Sequence, residues 1–233
     1  MISRTASVYA RGLGLRTTAG WVYRDVDLTA PHGALVAVTG PSGSGKTALL
    51  LTLAGRMRAT DGSLTVGGVN ARVSTAAVRR LAGLGEFSGL NGLDESLSVG
   101  DQIRIELSLH GRRWRGARLA DALSPVSVDL DLKTTVRGLP AVDRTLLGVA
   151  LALIGEPAML VVDELHEGLT PEERDLVWRR LRALADGGMT VVGGSLDPGL
   201  AASADVALAL PRASGADQTK PATAQQEVTH ALS

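Results

Sequence analysis

The sequence contains no cysteine, few aromatic residues and no excess of charge of either sign. Without cysteine the chain forms neither disulfides nor thiolate metal sites, which fits a reducing compartment. Its 233 residues include three Trp, two Tyr and one Phe although 45% are hydrophobic, so the core must be built from Val, Leu and Ala. Lysine plus arginine equals aspartate plus glutamate at 24 each. This balance predicts neither nucleic acid nor a membrane surface as a direct partner.

Long apolar segments are also missing. The longest runs, ALLLTLAG and LLGVALALIG, are shorter than the roughly 20 residues that a membrane-spanning helix needs. The stretch MISRTASVYARG lacks the continuous apolar core of a secretory signal. We therefore expect a cytoplasmic chain that reaches a membrane through a partner. Residues 213–233 have little to bury and are predicted to form a disordered tail.

Strand and helix patterns alternate along the chain, which predicts an α/β fold with a mainly parallel sheet. Residues 22–39 are typical of two strands around a Pro-His-Gly turn, and the second strand is apolar enough to be covered on both faces. Residues 98–123 carry two helical patterns that are broken at Gly111. Further strands are predicted at 64–68, 158–162, 190–193 and 206–210, and helices at 46–55, 144–154 and 171–185.

The segment GPSGSGKT, residues 40–47, matches the phosphate-loop pattern G-x-x-x-x-G-K-[ST] between a predicted buried strand and a predicted helix. Its glycines let the backbone curl so that N–H groups point at phosphate oxygens, and the helix adds the positive end of its dipole. The lysine is expected to reach the β- and γ-phosphates, and the threonine hydroxyl to coordinate magnesium. We therefore predict a nucleotide site formed by Gly40, Pro41, Ser42, Gly43, Ser44, Gly45, Lys46 and Thr47.

Residue usage supports the same prediction. The chain contains 21 arginines and three lysines, yet Lys46 stands where a flexible point charge suits phosphate better than a planar guanidinium.

The segment MLVVDEL, residues 159–165, is an apolar strand that ends in two carboxylates. Beside a phosphate loop, Asp163 is expected to hold magnesium through its water shell. Strand alternation directs Glu164 to the opposite side, where it can orient or deprotonate an attacking water. The sequence therefore predicts Thr47 and Asp163 as metal ligands and Glu164 as the catalytic residue.

Together, GPSGSGKT, LAGRMRATDGSLTVGG and VVDE followed by GLTPEER resemble the ATP-binding subunit of an ABC transporter, over about residues 7–210. The resemblance implies a P-loop core with a small antiparallel β part and a helical subdomain inserted at about 87–138, all within one domain of residues 1–212. In that family, two subunits sandwich two ATP molecules head to tail, and closure drives a membrane permease. The resemblance thus implies ATP and Mg²⁺, a homo- or heterodimer, and a peripheral position at the inner face of the cell membrane.

The sequence departs from the family at its LSGGQ signature. Counted back from Asp163, the signature falls on LPAVD, residues 139–143. Pro140 has no N–H, Val142 places a branched side chain where close backbone approach is needed, and Asp143 adds a negative charge. This segment is therefore predicted to bind a phosphate poorly.

Three more family positions are replaced. The Q-loop glutamine falls on Gly89, the D-loop aspartate on Thr170 and the switch histidine on Leu196, whose side chain cannot hydrogen-bond a γ-phosphate. His166 is the one histidine near the acidic pair, and we interpret it as a solvated loop residue rather than a replacement switch. The resemblance with these losses predicts slow or no turnover by the isolated chain.

The sequence leaves the adenine-stacking residue open, and it contains one basic segment with no predicted ligand. The adenine-stacking aromatic of the family falls near Thr17; Trp21 or Tyr23 can replace it, and each is equally compatible with a core or edge-strand role. The basic segment RRWRGAR, residues 112–118, is interpreted as a solvated helix face because the net charge is neutral.

The alternative function is a nucleotide-responsive binding module with little hydrolysis. A GTPase is disfavoured because no N-K-x-D or T-K-x-D motif occurs.

Overall fold

The structure is a computed structural model, and it describes residues 6–87, 90–111, 123–165 and 168–212. Strands and helices alternate along these residues. The strands are β1 (Val8–Thr17), β2 (Gly20–Ala30), β3 (Leu35–Thr39), β4 (Asp61–Val66), β5 (Val69–Asn70), β6 (Ala82–Leu84), β7 (Met159–Val162), β8 (Thr190–Ser195) and β9 (Val206–Ala209). The helices are α1 (Lys46–Leu53), α2 (Thr75–Leu81), α3 (Val99–Leu109), α4 (Ala141–Leu153) and α5 (Pro171–Asp186).

The strands form two sheets of different type. A five-stranded sheet has the order β6-β7-β8-β3-β9, and all its neighbouring strands are parallel. A four-stranded sheet has the order β2-β1-β4-β5, and all its pairs are antiparallel. This arrangement confirms the predicted α/β fold with a mainly parallel sheet and a small antiparallel part.

The parallel sheet is covered on both faces, as the apolar strand at 35–39 predicts. Every residue of β3 is buried. Val36 and Val38 belong to a cluster that includes α1 and the antiparallel sheet, whereas Leu35 and Ala37 belong to a second cluster with α3, α4 and α5. The carboxyl end of β3, where the phosphate loop begins, is therefore fixed from both sides.

The predicted elements occur with shifted ends. Helix α4 begins at Ala141, three residues before the predicted start. Pro140 is its N-cap residue, with an extended ψ of 153° that does not continue the helix backwards. The elements β1, β5, α2 and β6 were not predicted from the sequence. The second helical pattern within 98–123 lies largely outside the described residues, and the tail at 213–233 lies wholly outside them. The boundaries of the helical insertion stay a prediction. Within the described ranges, no helix is both long and apolar enough to cross a membrane.

Candidate nucleotide-binding site

The phosphate loop connects the carboxyl end of β3 to the first turn of α1. Gly45 has a φ of 87°, and a Cβ atom at this position would collide with the carbonyl oxygen of Val22. At Gly40 a Cβ would lie 2.6 Å from the carbonyl oxygen of Leu210. Close backbone packing therefore requires glycine at both ends of the loop.

The tip of the loop is open to solvent. Pro41, Ser42 and Gly43 are exposed, whereas Ser44 is buried. The N–H of Ser44 donates to the carbonyl oxygen of Pro41 at 3.2 Å, which closes the loop into a turn. The Ser44 hydroxyl has no hydrogen-bond partner among the described residues. An open turn ahead of a helix N-terminus can receive a phosphate.

Lys46 lies across the loop. Its Nζ donates to the carbonyl oxygens of Gly40 at 2.8 Å and Pro41 at 3.0 Å. Burial lowers the pKa of Lys46, and the negative charges of Asp163 and Glu164 oppose that shift. The predicted phosphate-binding cation is therefore held beside both acidic residues of the predicted site.

Thr47 and Asp163 come together although they are distant in the sequence. Thr47 Oγ1 donates to Asp163 Oδ2 at 2.5 Å. Asp163 is buried directly after β7, and Thr47 is exposed in the first turn of α1. A hydroxyl and a carboxylate are hard oxygen ligands, so this pair fits the chemistry of Mg²⁺. Both predicted metal ligands thus lie in one place.

Glu164 lies in a turn rather than in the strand. Strand alternation does not determine the direction of its side chain, because β7 ends at Val162 and Glu164 has a φ of 52°. Its N–H donates to Asp163 Oδ1 at 2.8 Å. A left-handed conformation at a non-glycine residue costs free energy and often marks a functional position.

A pocket of about 100 Å³ lies beside the loop. The structure distinguishes between Trp21 and Tyr23, the two candidates for stacking on adenine. Tyr23 is buried, donates its hydroxyl to Thr52 Oγ1 at 2.8 Å, and has its pKa raised to about 12 by burial, so it is a core residue. Trp21 is half-buried with the Arg16 guanidinium 5.6 Å from its ring centroid. The pocket is lined by Trp21, Val22, Tyr23, Arg24, Ser44, Leu210, Pro211 and Arg212.

The segment LPAVD forms the start of α4. Pro140 is the N-cap residue, and no side chain in the described part of the chain caps this helix end. Asp143 lies in its first turn, where a carboxylate interacts favourably with the helix dipole. Val142 packs against the cluster beneath α4. The valine therefore serves the core, and the missing N–H of Pro140 and the negative charge of Asp143 are the two features that oppose a phosphate at this helix end.

Thr170 begins α5 and caps it. Its Oγ1 accepts the N–H of Glu173 at 3.3 Å, and the Thr170 N–H donates to Glu173 Oε2 at 2.8 Å. This is a capping box, and its pattern T-x-x-E could have been read from the sequence. The residue at the family's D-loop position therefore stabilises a helix end.

Leu196 follows β8 with its side chain 42% exposed. Its neighbour Asp197 accepts the N–H of Gly199 at 2.8 Å and forms an ion pair with Arg174 of α5 at 3.3 Å. The loop at the switch-histidine position is thus attached to α5. Gly89, His166 and all of residues 112–118 lie outside the described residues.

These features define a class of protein. A parallel sheet, a phosphate loop between a central strand and a helix, and an aspartate bonded to the threonine of that loop characterise a P-loop nucleoside triphosphatase. Within this class, the ABC transporter family matches residues 23–167, more than half of the chain, and the chain belongs to that family.

Curated relatives support the same assignment. The chain is 33% identical over 175 residues to the Nod factor export ATP-binding protein I of Cupriavidus pinatubonensis, covering 73% of this chain and 53% of that protein. It is 34% identical over 170 residues to the daunorubicin resistance ATP-binding protein DrrA3 of Streptomyces coeruleorubidus, covering 72% of this chain and 53% of that protein. The chain spans about half the length of these relatives.

Solved structures share the fold. The dimeric structure of the bacterial ABC transporter cassette MJ0796 has a TM-score of 0.74 at 19% identity, covering 88% of this chain and 94% of that chain. A post-hydrolysis dimer of the same cassette bound to ADP and Pi has a TM-score of 0.72 at 19% identity, covering 91% and 99%. At this identity the likeness establishes the fold.

Proposed function

We propose that this chain is the ATP-binding subunit of an ABC-type transporter, which binds Mg-ATP and couples binding and slow hydrolysis to a separate membrane permease. The observation that carries the proposal is the 2.5 Å hydrogen bond between Thr47 and Asp163, because it joins two oxygen ligands that are 116 residues apart. Thr47 and Asp163 are the residues that would hold Mg²⁺, and the ion would supply positive charge that offsets the charge of the phosphates.

The phosphates would lie over the loop at residues 40–47. The first turn of α1 supplies N–H groups and the positive end of a helix dipole. Lys46 would exchange its bonds to two loop carbonyls for charge-assisted bonds to the β- and γ-phosphates. The base would occupy the pocket beside Trp21, since Tyr23 is committed to the core.

Glu164 would orient or deprotonate the attacking water. Its N–H is bonded to Asp163, so the backbone links the proposed base to the proposed metal ligand. The retained carboxylate is compatible with hydrolysis.

Slow turnover follows from the elements around the γ-phosphate. Thr170 is engaged in a helix cap, and Leu196 presents an exposed apolar side chain. Asp143 places a negative charge at the start of α4, where the family uses a glycine-rich signature for the partner's ATP. The side chain of Leu196 has no hydrogen-bond donor and the carboxylate of Asp143 only accepts, so neither would stabilise a developing charge on the γ-phosphate.

The proposed partners are a transmembrane permease and a second ATP-binding subunit, identical or different, on the cytoplasmic face of the membrane. A different subunit with an intact signature would complete the site built on Lys46. Because the relatives are named for Nod factor export and daunorubicin resistance, an exporter is the permease to test first.

A second candidate is an ATP-responsive regulatory module with little or no hydrolysis. The capping role of Thr170 and the exposed Leu196 favour it, because neither contributes a group to catalysis. The two candidate functions predict different effects of a permease on the rate of ATP hydrolysis.

The distinguishing experiment measures phosphate release by the purified chain, alone and reconstituted with its membrane partner, for wild type and Glu164→Gln. A transporter subunit should gain turnover from the permease and lose that gain in the variant. ATP binding with no gain supports the regulatory module. Partner binding that is indifferent to ATP would count against both.

A further inference from the structure

Gly194 of β8 lies beside the turn that carries Asp163. In the register of β7 and β8, Val162 pairs with Gly193. Asp163 follows Val162 directly and Gly194 follows Gly193, so these two residues come next to each other at the end of the pairing. The N–H of Leu165 donates to the carbonyl oxygen of Gly194 at 3.2 Å, which holds the turn against the strand.

The space that a side chain at position 194 would occupy is filled by the aspartate. A Cβ atom on Gly194 would collide with Asp163 Oδ1 and would lie 2.6 Å from Leu50 Cδ1 of α1. The φ of Gly194 is not positive, so its backbone conformation does not demand glycine. The requirement for glycine is therefore steric, and it concerns the carboxylate of Asp163 directly.

We propose that Gly194 is a positioning residue for the carboxylate of Asp163. The two oxygens of that carboxylate are held by the Thr47 hydroxyl and the Glu164 N–H. Rotation towards both donors places Oδ1 over Gly194. A methyl group there would displace Oδ1 from the Glu164 N–H and, because the two oxygens turn together, would rotate Oδ2 away from Thr47. Where it concerns magnesium, the inference rests on the proposed function.

Gly193 offers a matched control in the same strand. It is equally buried, but its Cβ would meet Trp178 Cζ3 at 2.8 Å and Leu165 Cδ1 at 2.9 Å, in the cluster on the opposite face of the sheet. Both Gly193→Ala and Gly194→Ala should therefore lower Tm by overpacking. A merely structural role of Gly194 would make the two variants equivalent at the site.

The first test is a crystal structure of each variant. The Thr47–Asp163 hydrogen bond, 2.5 Å long in the native chain, should be lost in Gly194→Ala and kept in Gly193→Ala. If Gly194→Ala does not fold, the double variant with Leu50→Ala removes the helix contact while keeping the contact with Asp163. An intact Thr47–Asp163 bond in whichever of these variants folds would overturn the proposal.

The second test measures ATP affinity by calorimetry in Mg²⁺ and in EDTA. The gain in affinity from Mg²⁺ should fall about tenfold in Gly194→Ala and less than about twofold in Gly193→Ala, as for residues that orient a metal ligand. Equal losses in the two variants would overturn the role towards magnesium. A native chain whose ATP binding ignores Mg²⁺ would overturn the proposed function instead, and the crystallographic distance would still decide the role of Gly194 towards Asp163.

Discussion

The phosphate loop and the segments around it use their polar groups in opposite ways. At the loop, the Lys46 amine and the Thr47 hydroxyl are bonded to groups of the same site, namely loop carbonyls and Asp163. Around it, the Thr170 hydroxyl and the Asp197 carboxylate cap helix ends. The difference supports the proposal that this chain binds nucleotide at the loop, while Thr170 at the D-loop position caps a helix and Leu196 at the switch-histidine position presents an exposed apolar side chain.

The largest effect should come from removing the cation of the loop. Lys46→Ala should lower ATP affinity by about 100-fold or more, because each of two bonds from a charged donor to a phosphate is worth about 1.5–3 kcal/mol and every 1.4 kcal/mol or so is a factor of ten. Calorimetry measures the loss. The exposed Lys133 provides the control, since Lys133→Ala should leave the affinity unchanged. Equal losses in both variants would contradict a specific site at the loop.

The metal ligand should show a smaller loss that depends on magnesium. Asp163→Asn should reduce the Mg²⁺-dependent gain in ATP affinity about 30-fold, because the carboxylate is the charged ligand of the pair with Thr47. ATP affinity in EDTA should hardly change. Glu164→Gln, a change to the adjacent carboxylate, should keep the magnesium effect. A reversed ranking of these variants would refute the assignment of Asp163.

The pocket beside the loop should contribute less than the phosphates. Trp21→Ala should weaken ATP binding about tenfold, because stacking of a base on an aromatic ring is worth about 1–3 kcal/mol. Trp21→Phe should recover part of the loss. Tyr23→Phe should leave the affinity unchanged, since the Tyr23 hydroxyl is bonded to Thr52 inside the core. A larger effect at Tyr23 than at Trp21 would contradict stacking of the base on Trp21.

At the D-loop position, the expected effect is on stability and not on binding. Thr170→Ala should lower the free energy of unfolding by about 1 kcal/mol through loss of the N-cap, with unchanged ATP affinity. Thr170→Ser should retain most of the stability. Denaturant unfolding and calorimetry on the same samples separate the two quantities. A fall in affinity without a fall in stability would give Thr170 a role in the nucleotide site.

The smallest effect is expected at the switch-histidine position. Leu196→Ser should change the free energy of unfolding by less than about 0.5 kcal/mol, because the side chain is substantially exposed. ATP affinity should also be unchanged. A clear loss of affinity would mean that Leu196 contacts the nucleotide.

The sequence predicted best what depends on local pattern. The phosphate loop and the buried strand before it follow from a local motif whose chemistry fixes its spacing. Thr47 and Asp163 were each predicted as a metal ligand, and the fold places them within hydrogen-bond distance. The pattern T-x-x-E at Thr170 is typical of a capping box, so this helix end is also predictable from the sequence. The direction of Glu164 could not be predicted, because strand alternation stops at the end of β7.

The roles of Gly194, Trp21 and Tyr23 depend on tertiary contacts, which cannot be predicted from a local sequence pattern. Gly194 looks like any glycine in a strand until β7, β8 and α1 pack together. Trp21 and Tyr23 could not be ranked from the sequence, because a bulged register between β1 and β2 separates their surroundings. Burial and hydrogen bonding then distinguish the core residue from the residue at the pocket.

The most direct test compares ATP binding and phosphate release in one preparation of the purified chain. We expect saturable, Mg²⁺-dependent binding that Lys46→Ala removes, together with phosphate release so slow that Glu164→Gln changes it little. Rapid phosphate release by the chain alone, abolished by Glu164→Gln, would contradict the claim that this chain holds ATP in an intact site and turns it over slowly.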